Sequence, residues 1–370
     1  MYLSEIELRN FRNYENRQVE FSPGINVFIG ENAQGKTNLL EAIYVLAMTR
    51  SHRTANDREL INWQAKEAMV KGTVIKQAGR VLLGTRGKRV KVNHLFQSRL
   101  STYIGNLNVV LFAPEDLALV KGAPQERRQF MDTEFSQMSS RYLYAISQFR
   151  GLLKQRNEYL KQLKYGSQVD QVLLEVLSDQ LAESGAAVMA MRFKLLKRLE
   201  TWSAQLHEHI SQQKEVLKLK YISQVMIDEK TAEKEIVKQL QKLYHEHQSQ
   251  EIKLGTTLYG PQRDDIRFLV NDQDVHRFGS QGQQRTTALA VKLAEIDLMN
   301  EQTGEYPLLL LDDVLSELDD DRQTHLLTAI QDKVQTFLTT TSLSGVARQL
   351  INRPTIFQIA HGTIDKEDKK

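Results

Sequence analysis

Residues Leu3 to Leu8 alternate apolar and polar side chains, the period of a strand with one buried face, and Gly24 to Ile29 forms a second short strand stopped by a glycine. Both are expected in a sheet. From Leu39 to Ala47 the apolar positions take helical spacing, and Ala68 to Val92 reads as two or three strands broken by Gly72, Gly79, Gly84 and Gly87, an antiparallel meander. The character changes between about Gln125 and His247, where Val169, Val172, Leu173, Val176, Leu177 and Leu181, then Leu195, Leu199, Trp202, Leu206 and Ile210, recur at helical spacing. This stretch is expected to be helical. After Gly255 strands resume with Ile266 to Val270 and a turn at Asn271-Asp272, followed by a long helix from about Gln283 to Asn300 and a buried strand at Leu308 to Leu311. The pattern predicts an α/β protein whose sheet domain is split in sequence. Its parts are 1–124, a helical insert at 125–250, and 251–370. Asp365 to Lys370 is charged and expected to be disordered.

Composition narrows the picture. With 370 residues, 41% of them hydrophobic, the chain can bury a sizeable core, and two packed units are the expectation. Its net charge of +3, from 49 basic and 46 acidic residues, confines any nucleic-acid surface to a local patch. Cysteine is absent, which excludes disulfides and thiolate metal sites, and the nine histidines show no metal-ligand spacing. No run approaches the ~18 apolar residues of a membrane span and the first ten residues lack a signal-peptide core, so a cytoplasmic protein without a membrane partner is expected.

The segment Gly30-Glu31-Asn32-Ala33-Gln34-Gly35-Lys36-Thr37 fits G-x-x-x-x-G-K-[ST] and stands between a predicted strand and a predicted helix, the context that motif requires. Backbone N–H groups of such a loop wrap phosphates, Lys36 reaches the β and γ oxygens, and Thr37 holds Mg²⁺, so ATP and Mg²⁺ are the expected ligands. Leu308-Leu309-Leu310-Leu311-Asp312-Asp313 is an apolar strand ending in two carboxylates. Asp312 is the candidate Mg²⁺ ligand and Asp313 the candidate catalytic base for water; the bland alternative is that the pair caps the helix that follows near Ser316. Ser280-Gln281-Gly282-Gln283-Gln284 opens the long helix, and Ser280, Gly282 and Gln283 fit either an anion site or a plain N-cap.

In the order phosphate loop, Ser280 motif, acidic strand, these segments resemble the Walker A, signature and Walker B motifs of the ABC ATPase head, with Ser316-Glu317-Leu318-Asp319 similar to its D-loop. That likeness implies that Ser280 and Gly282 meet the γ-phosphate held by a second copy. Thr340 or Thr341 stands where many such ATPases carry a histidine, and Pro114-Glu115-Asp116 stands where many carry a glutamine loop. Glu115 and Asp116 fit equally the acidic start of a helix. Thr37 and Ser280 lie 243 residues apart (280 minus 37), further than in transporter ATPases, and the insert is too short and irregular for the coiled-coil arms of SMC proteins.

The blocks Leu8-Arg9-Asn10-Phe11-Arg12-Asn13-Tyr14, Ser51-His52-Arg53-Thr54, Phe112 to Leu117, Arg127-Arg128-Gln129-Phe130-Met131-Asp132 and Gly260-Pro261-Gln262-Arg263-Asp264-Asp265 resemble those of the RecF family, from the first residue to about Ser344. The resemblance implies a two-lobed ABC head related to SMC proteins, a homodimer formed in ATP, and binding of single-stranded, double-stranded or gapped DNA across it. It further implies slow hydrolysis for release, recombinase loading with a partner such as RecR, and the SOS response. A transporter ATPase subunit and a small-molecule kinase are the competing functions.

Arg86-Gly87-Lys88-Arg89-Val90-Lys91 is the densest basic cluster and reads as a hairpin. Arg86, Lys88, Arg89 and Lys91 suit DNA phosphates, and equally suit a solvated sheet edge blunted by cations. Arg192, Lys194, Lys197 and Arg198 form a second candidate surface.

Overall fold

The computed structural model describes residues 1–87, 89–166, 171–342, 350–351 and 353–367. The chain divides into two compact units, one of Met1–Leu117, His209–Gln212 and Ala288–Lys370, the other of Ala118–Glu208 and Gln213–Thr287.

The first unit is built on two sheets. The strand predicted near the N-terminus, Tyr2–Phe11, joins an antiparallel sheet in the order Tyr14–Glu20, Tyr2–Phe11, Met69–Lys76, Gly79–Arg86, Arg89–Val92, Leu95–Gln97. The meander expected over Ala68 to Val92 is there with three strands, and Leu95–Gln97 extends it by a fourth beyond that range. Ile25–Ile29 belongs instead to a second, mainly parallel sheet, ordered Thr363–Lys366, Thr355–Ala360, Ile25–Ile29, Thr336–Thr340, Leu308–Asp312, Val109–Phe112. Its central strands read as near-continuous apolar runs because both faces are covered. Helix Lys36–Met48 packs on strands of both sheets, which is why eleven of its thirteen residues are buried and its apolar positions run almost all round. The C-terminal segment expected to be disordered is in part a strand: Thr363–Lys366 pairs antiparallel with Thr355–Ala360. Residues 368–370 lie outside the described residues.

The second unit carries the helices Pro124–Met138, Ser140–Lys164, Gln171–Ile210 as far as Glu208, Glu233–Glu246 and Gln248–Leu254. The insert is not purely helical, because Leu217–Ile222 is a strand. It pairs along its whole length with Asp265–Val270, which in turn pairs with Gln273–Asp274 across the turn at Asn271 and Asp272, both at positive φ. That pairing draws the chain after residue 251 into the helical unit. Ser280 and the first two turns of helix Gln281–Thr303, through Thr287, consequently fall in the second unit, a different partition from the break expected at 251.

Candidate functional site

In the first unit the glycine loop follows strand Ile25–Ile29 and turns into helix Lys36–Met48. Two of its glycines are required by geometry. A Cβ on Gly30 would lie 2.2 Å from the carbonyl oxygen of Ile359, and Gly35 sits at φ 121°, where a side chain would also meet Asn13 and Tyr14. Glu31, Asn32 and Ala33 form the exposed crest. Gln34 is held from behind, its carbonyl accepting from Asn13 Nδ2 at 3.1 Å and its Oε1 accepting from the His361 N–H at 2.7 Å. The Tyr14 hydroxyl donates to the Gly35 carbonyl at 2.9 Å. The Lys36 side chain is 8% exposed and its Nζ donates to the carbonyls of Gly30 and Glu31 at 2.6 and 2.8 Å. Burial pulls the Lys36 pKa below the usual lysine value, and the charges of Asp313 and Asp312 act against that pull.

The two acidic residues end strand Leu308–Asp312, which is not the neighbour of the loop strand. Strand Thr336–Thr340 lies between the two, parallel to both, with Thr339 opposite Asp312 and Thr340 opposite Ile29. Thr37 Oγ1 donates to Asp312 Oδ1 at 3.0 Å, and Thr339 Oγ1 donates to the same oxygen at 2.7 Å. The Thr339 hydroxyl also accepts the Asp313 N–H at 2.9 Å. Asp313 is exposed and adopts the left-handed conformation at φ 53°, with no side-chain cap on the 3₁₀ turn Val314–Glu317. The capping alternative for Asp313 therefore fails. The sequence singled out Thr340 or Thr341 only for the place where related ATPases carry a histidine, and did not single out Thr339, whose signal is a hydroxyl within a buried parallel strand. Thr340 turns to Ser342 instead, its hydroxyl donating to that carbonyl at 2.7 Å.

A second layer was also missed. Glu41 is fully buried in the middle of the loop helix and accepts a forked pair of bonds from Arg12, both at 2.8 Å, and a bond from Ser51 Oγ at 2.5 Å. Arg53 approaches Glu41 at 3.7 Å and donates to Asn38 Oδ1 at 3.1 Å. Burial raises the Glu41 pKa, but Arg12, Ser51 and Arg53 together hold it below the usual glutamate value. A lone acid within the apolar run Leu39-Leu40-Glu41-Ala42 was the available signal. Two of the sequence blocks singled out above thus meet on one carboxylate under the loop.

Asp116 is a turn cap: its Oδ2 accepts the Ala113 N–H at 2.6 Å, and Lys292 lies 3.9 Å from it. The side chain of Glu115 lies outside the described residues.

In the second unit Ser280 and Gln283 form a reciprocal capping box. Ser280 Oγ accepts the Gln283 N–H at 3.2 Å, and Gln283 Oε1 accepts the Ser280 N–H at 2.9 Å. This N-cap leaves the Ser280 O–H hydrogen outside the box, so capping and anion binding are compatible. The Arg127 to Asp132 and Gly260 to Asp265 blocks join here as well. Arg127 grips Asp265 at 2.6 and 3.0 Å, and Arg192 donates to Asp132 Oδ1 at 2.7 Å and to the Pro261 carbonyl at 2.6 Å. Arg192 is buried, which removes it from the DNA candidates. Lys194 is exposed, and Lys197 pairs with Glu200 at 2.9 Å.

On the hairpin, Arg86 is ion-paired with Glu67, Lys91 lies 4.3 Å from the ring centre of Phe96, and Arg89 is exposed. Lys88 lies outside the described residues. Among the described residues, no helix is long and apolar enough to cross a membrane, and no histidine and acid cluster suited to a metal ion occurs.

Residues 1–340 match the AAA ATPase domain family. The DNA replication and repair protein RecF of Limosilactobacillus fermentum is 69% identical, with 100% of each chain covered, and that of Limosilactobacillus reuteri strain DSM 20016 is 65% identical over the same shares. Among solved structures, the recombination mediator protein RecF with ATP, in the RecFOR pathway, superposes with a TM-score of 0.91 at 34% identity, covering 99% of this chain and 98% of that one. The Smc head domain of Pyrococcus furiosus, bound to the C-terminal domain of ScpA, shares the fold at a TM-score of 0.56 and 16% identity, over 99% of this chain and 96% of that one.

Proposed function

The chain belongs to the RecF family, and from that premise we propose that it is an ATP-switched DNA-binding protein of replication and repair. Two copies close on ATP, each loop nucleotide being met by the Ser280 motif of the other copy, and slow, DNA-stimulated hydrolysis reopens the dimer. The observation that carries this reading is the meeting of Lys36, Thr37, Asp312 and Asp313 at the mouth of the glycine loop, with Thr37 Oγ1 and Asp312 Oδ1 3.0 Å apart.

Those two hard oxygen donors fit Mg²⁺, and the loop geometry fits a triphosphate. Bound Mg²⁺ would supply positive charge against the β and γ oxygens. The chain's own residues do the rest. The Lys36 ammonium, which rests on the Gly30 and Glu31 carbonyls, is positioned to exchange them for phosphate oxygens. Thr339 fixes the Asp312 carboxylate and the Asp313 backbone through one hydroxyl, and Asp313 holds and deprotonates the attacking water. Around this core the family likeness supports recombinase loading at gapped DNA with a RecR-type partner, a part in the SOS response, and a cytoplasmic setting. A transporter subunit is disfavoured by the full-length likeness to RecF proteins.

Asp313→Asn is the decisive test. It keeps size and hydrogen bonding but cannot accept the proton, so turnover should fall by roughly 10²-fold or more while ATP binding and the ATP-dependent dimer persist. Parental turnover would remove Asp313 from the chemistry, and a variant that binds ATP yet stays monomeric would overturn the nucleotide-gated dimer.

A further inference from the structure

Gln283 uses both ends of its carboxamide. Its Oε1 accepts the Ser280 N–H at 2.9 Å, and its Nε2 donates to Glu215 Oε1 at 2.8 Å. Glu215 stands just ahead of strand Leu217–Ile222, the strand that joins the insert to the chain leading into the Ser280 motif. An ionised carboxylate only accepts hydrogen bonds, so it faces the NH₂ end of the amide and obliges the carbonyl end to face Ser280. Without that acceptor, the amide can turn over and set NH₂ against the Ser280 N–H, donor against donor, and the capping box opens. His207 lies behind Glu215, fully buried, with Nε2 3.8 Å from the second carboxylate oxygen; burial holds its pKa below the usual histidine value against the opposing pull of Glu215.

We infer that Glu215 is a positioning residue for the ATP-dependent dimer: by fixing the orientation of the Gln283 amide, it holds the Ser280 loop in the geometry that meets the partner copy's γ-phosphate. This inference rests on the proposed function, because it assumes that the Ser280 motif acts on nucleotide held by a second copy. Glu215 touches no phosphate itself. It acts through Gln283 and the Ser280 backbone, and the Ser280 hydroxyl, already accepting the Gln283 N–H at 3.2 Å, keeps its hydrogen for the incoming oxyanion.

The test uses the full chain with Mg²⁺-ATP and reads the dimer dissociation constant by analytical ultracentrifugation. Affinity for a fluorescent ATP analogue and thermal stability are measured beside it. Glu215→Ala should weaken the dimer on the order of fivefold, the scale of a lost helix cap, with nucleotide affinity unchanged. Glu215→Gln offers its carbonyl to the same NH₂ group and should return the dimer to within about twofold of the parent. A merely structural role would not separate these two substitutions at equal thermal stability. Parental dimerisation by Glu215→Ala, or a Gln variant as weak as the Ala variant, would overturn the inference. Ser280→Arg is the control on the underlying reading. If that variant dimerises like the parent, the composite site itself is wrong; if it cannot dimerise while Glu215→Ala behaves as the parent, only the role of Glu215 falls.

Discussion

Glu41 in the first unit and Asp264 in the second are carboxylates with almost no exposed surface, and both lie among arginines, yet their protonation behaviour is opposite. Glu41 is held below the usual glutamate value, whereas Asp264 is raised to about 6. Burial is the first cause acting on each, and it favours the neutral acid in both. The difference lies in how the guanidinium groups are aimed. Arg12 presents a fork to Glu41, two bonds of 2.8 Å, and Ser51 adds a third. Arg192 directs its short bonds elsewhere, to Asp132 and the Pro261 carbonyl, and comes no nearer to Asp264 than 3.7 Å. Tyr221 donates to Asp264 Oδ2, and Arg128 donates to its backbone carbonyl rather than its carboxylate. Proximity to an arginine does not decide ionisation in a buried site. A bidentate bond does.

Breaking the forked pair should have the largest effect. Glu41→Ala leaves Arg12 without its acceptor beneath the phosphate loop, and removing one partner of a buried pair costs about 3–5 kcal/mol. The first unit's melting temperature should drop by roughly 10 °C. ATP affinity should fall too, because Asn38 and Arg53 share the network that holds the loop from behind. The pH dependence has a defined sign. A glutamate whose folded pKa lies below its unfolded 4.5 contributes stability above that value and loses it as pH falls through the folded pKa. The stability gap between parent and variant should therefore be full near neutrality and narrow as pH falls through the folded pKa of Glu41. Equal melting temperatures at pH 7 would show that the fork contributes nothing.

Asp264 should show the reverse trend and a smaller effect. Its folded pKa of about 6 exceeds the unfolded 3.8, so its contribution is fully present below 3.8 and is lost as pH rises through about 6. Parental stability should therefore decline across that window by on the order of a few kcal/mol. Asp264→Asn cannot ionise. Urea unfolding of the second unit at pH 4 and pH 8 should accordingly show a steeper decline for the parent than for the variant, and parallel curves would rule out titration of this group.

How much of this was legible in sequence follows the same division between local pattern and distant pairing. The glycine loop and the acidic strand were readable because each is contiguous and framed by a strand and a helix whose periods are plain. The capping box at Ser280 was readable as an N-cap for the same reason. Thr339 was not, because only the parallel pairing that places Thr336–Thr340 between the loop strand and the acidic strand brings its hydroxyl to Asp312. Glu41 drew its partners from residues 12, 51 and 53, which no spacing rule connects. Arg192 looked like a surface cation because helix charges usually face water, and its burial depends on Asp132 and Pro261, 60 and 69 residues away. The compact units divide the chain differently from the break read at 251, because strand Leu217–Ile222, inside an otherwise helical insert, pairs with Asp265–Val270.

A third arginine–carboxylate pair isolates the contribution of burial and should give the smallest effect. Arg86 and Glu67 make a forked contact resembling that of Arg12 and Glu41, but in open solvent, with side chains 62% and 54% exposed. Water and salt screen such a pair, so Glu67→Ala should leave the melting temperature essentially unchanged. If the hairpin is a DNA surface, the pair would compete with phosphates for Arg86. If the hairpin contacts duplex phosphates, Arg89→Ala should reduce the salt dependence of DNA binding by about one contact. Arg86→Ala should reduce it by less, because Arg86 already faces a carboxylate, and Glu67→Ala should strengthen binding at low salt by freeing it. Titration of labelled duplex at several salt concentrations separates the outcomes. Equal losses for the two arginine variants would mean that Glu67 does not hold Arg86 back, and an unchanged slope for every hairpin variant would make this edge a solvated one rather than a DNA surface.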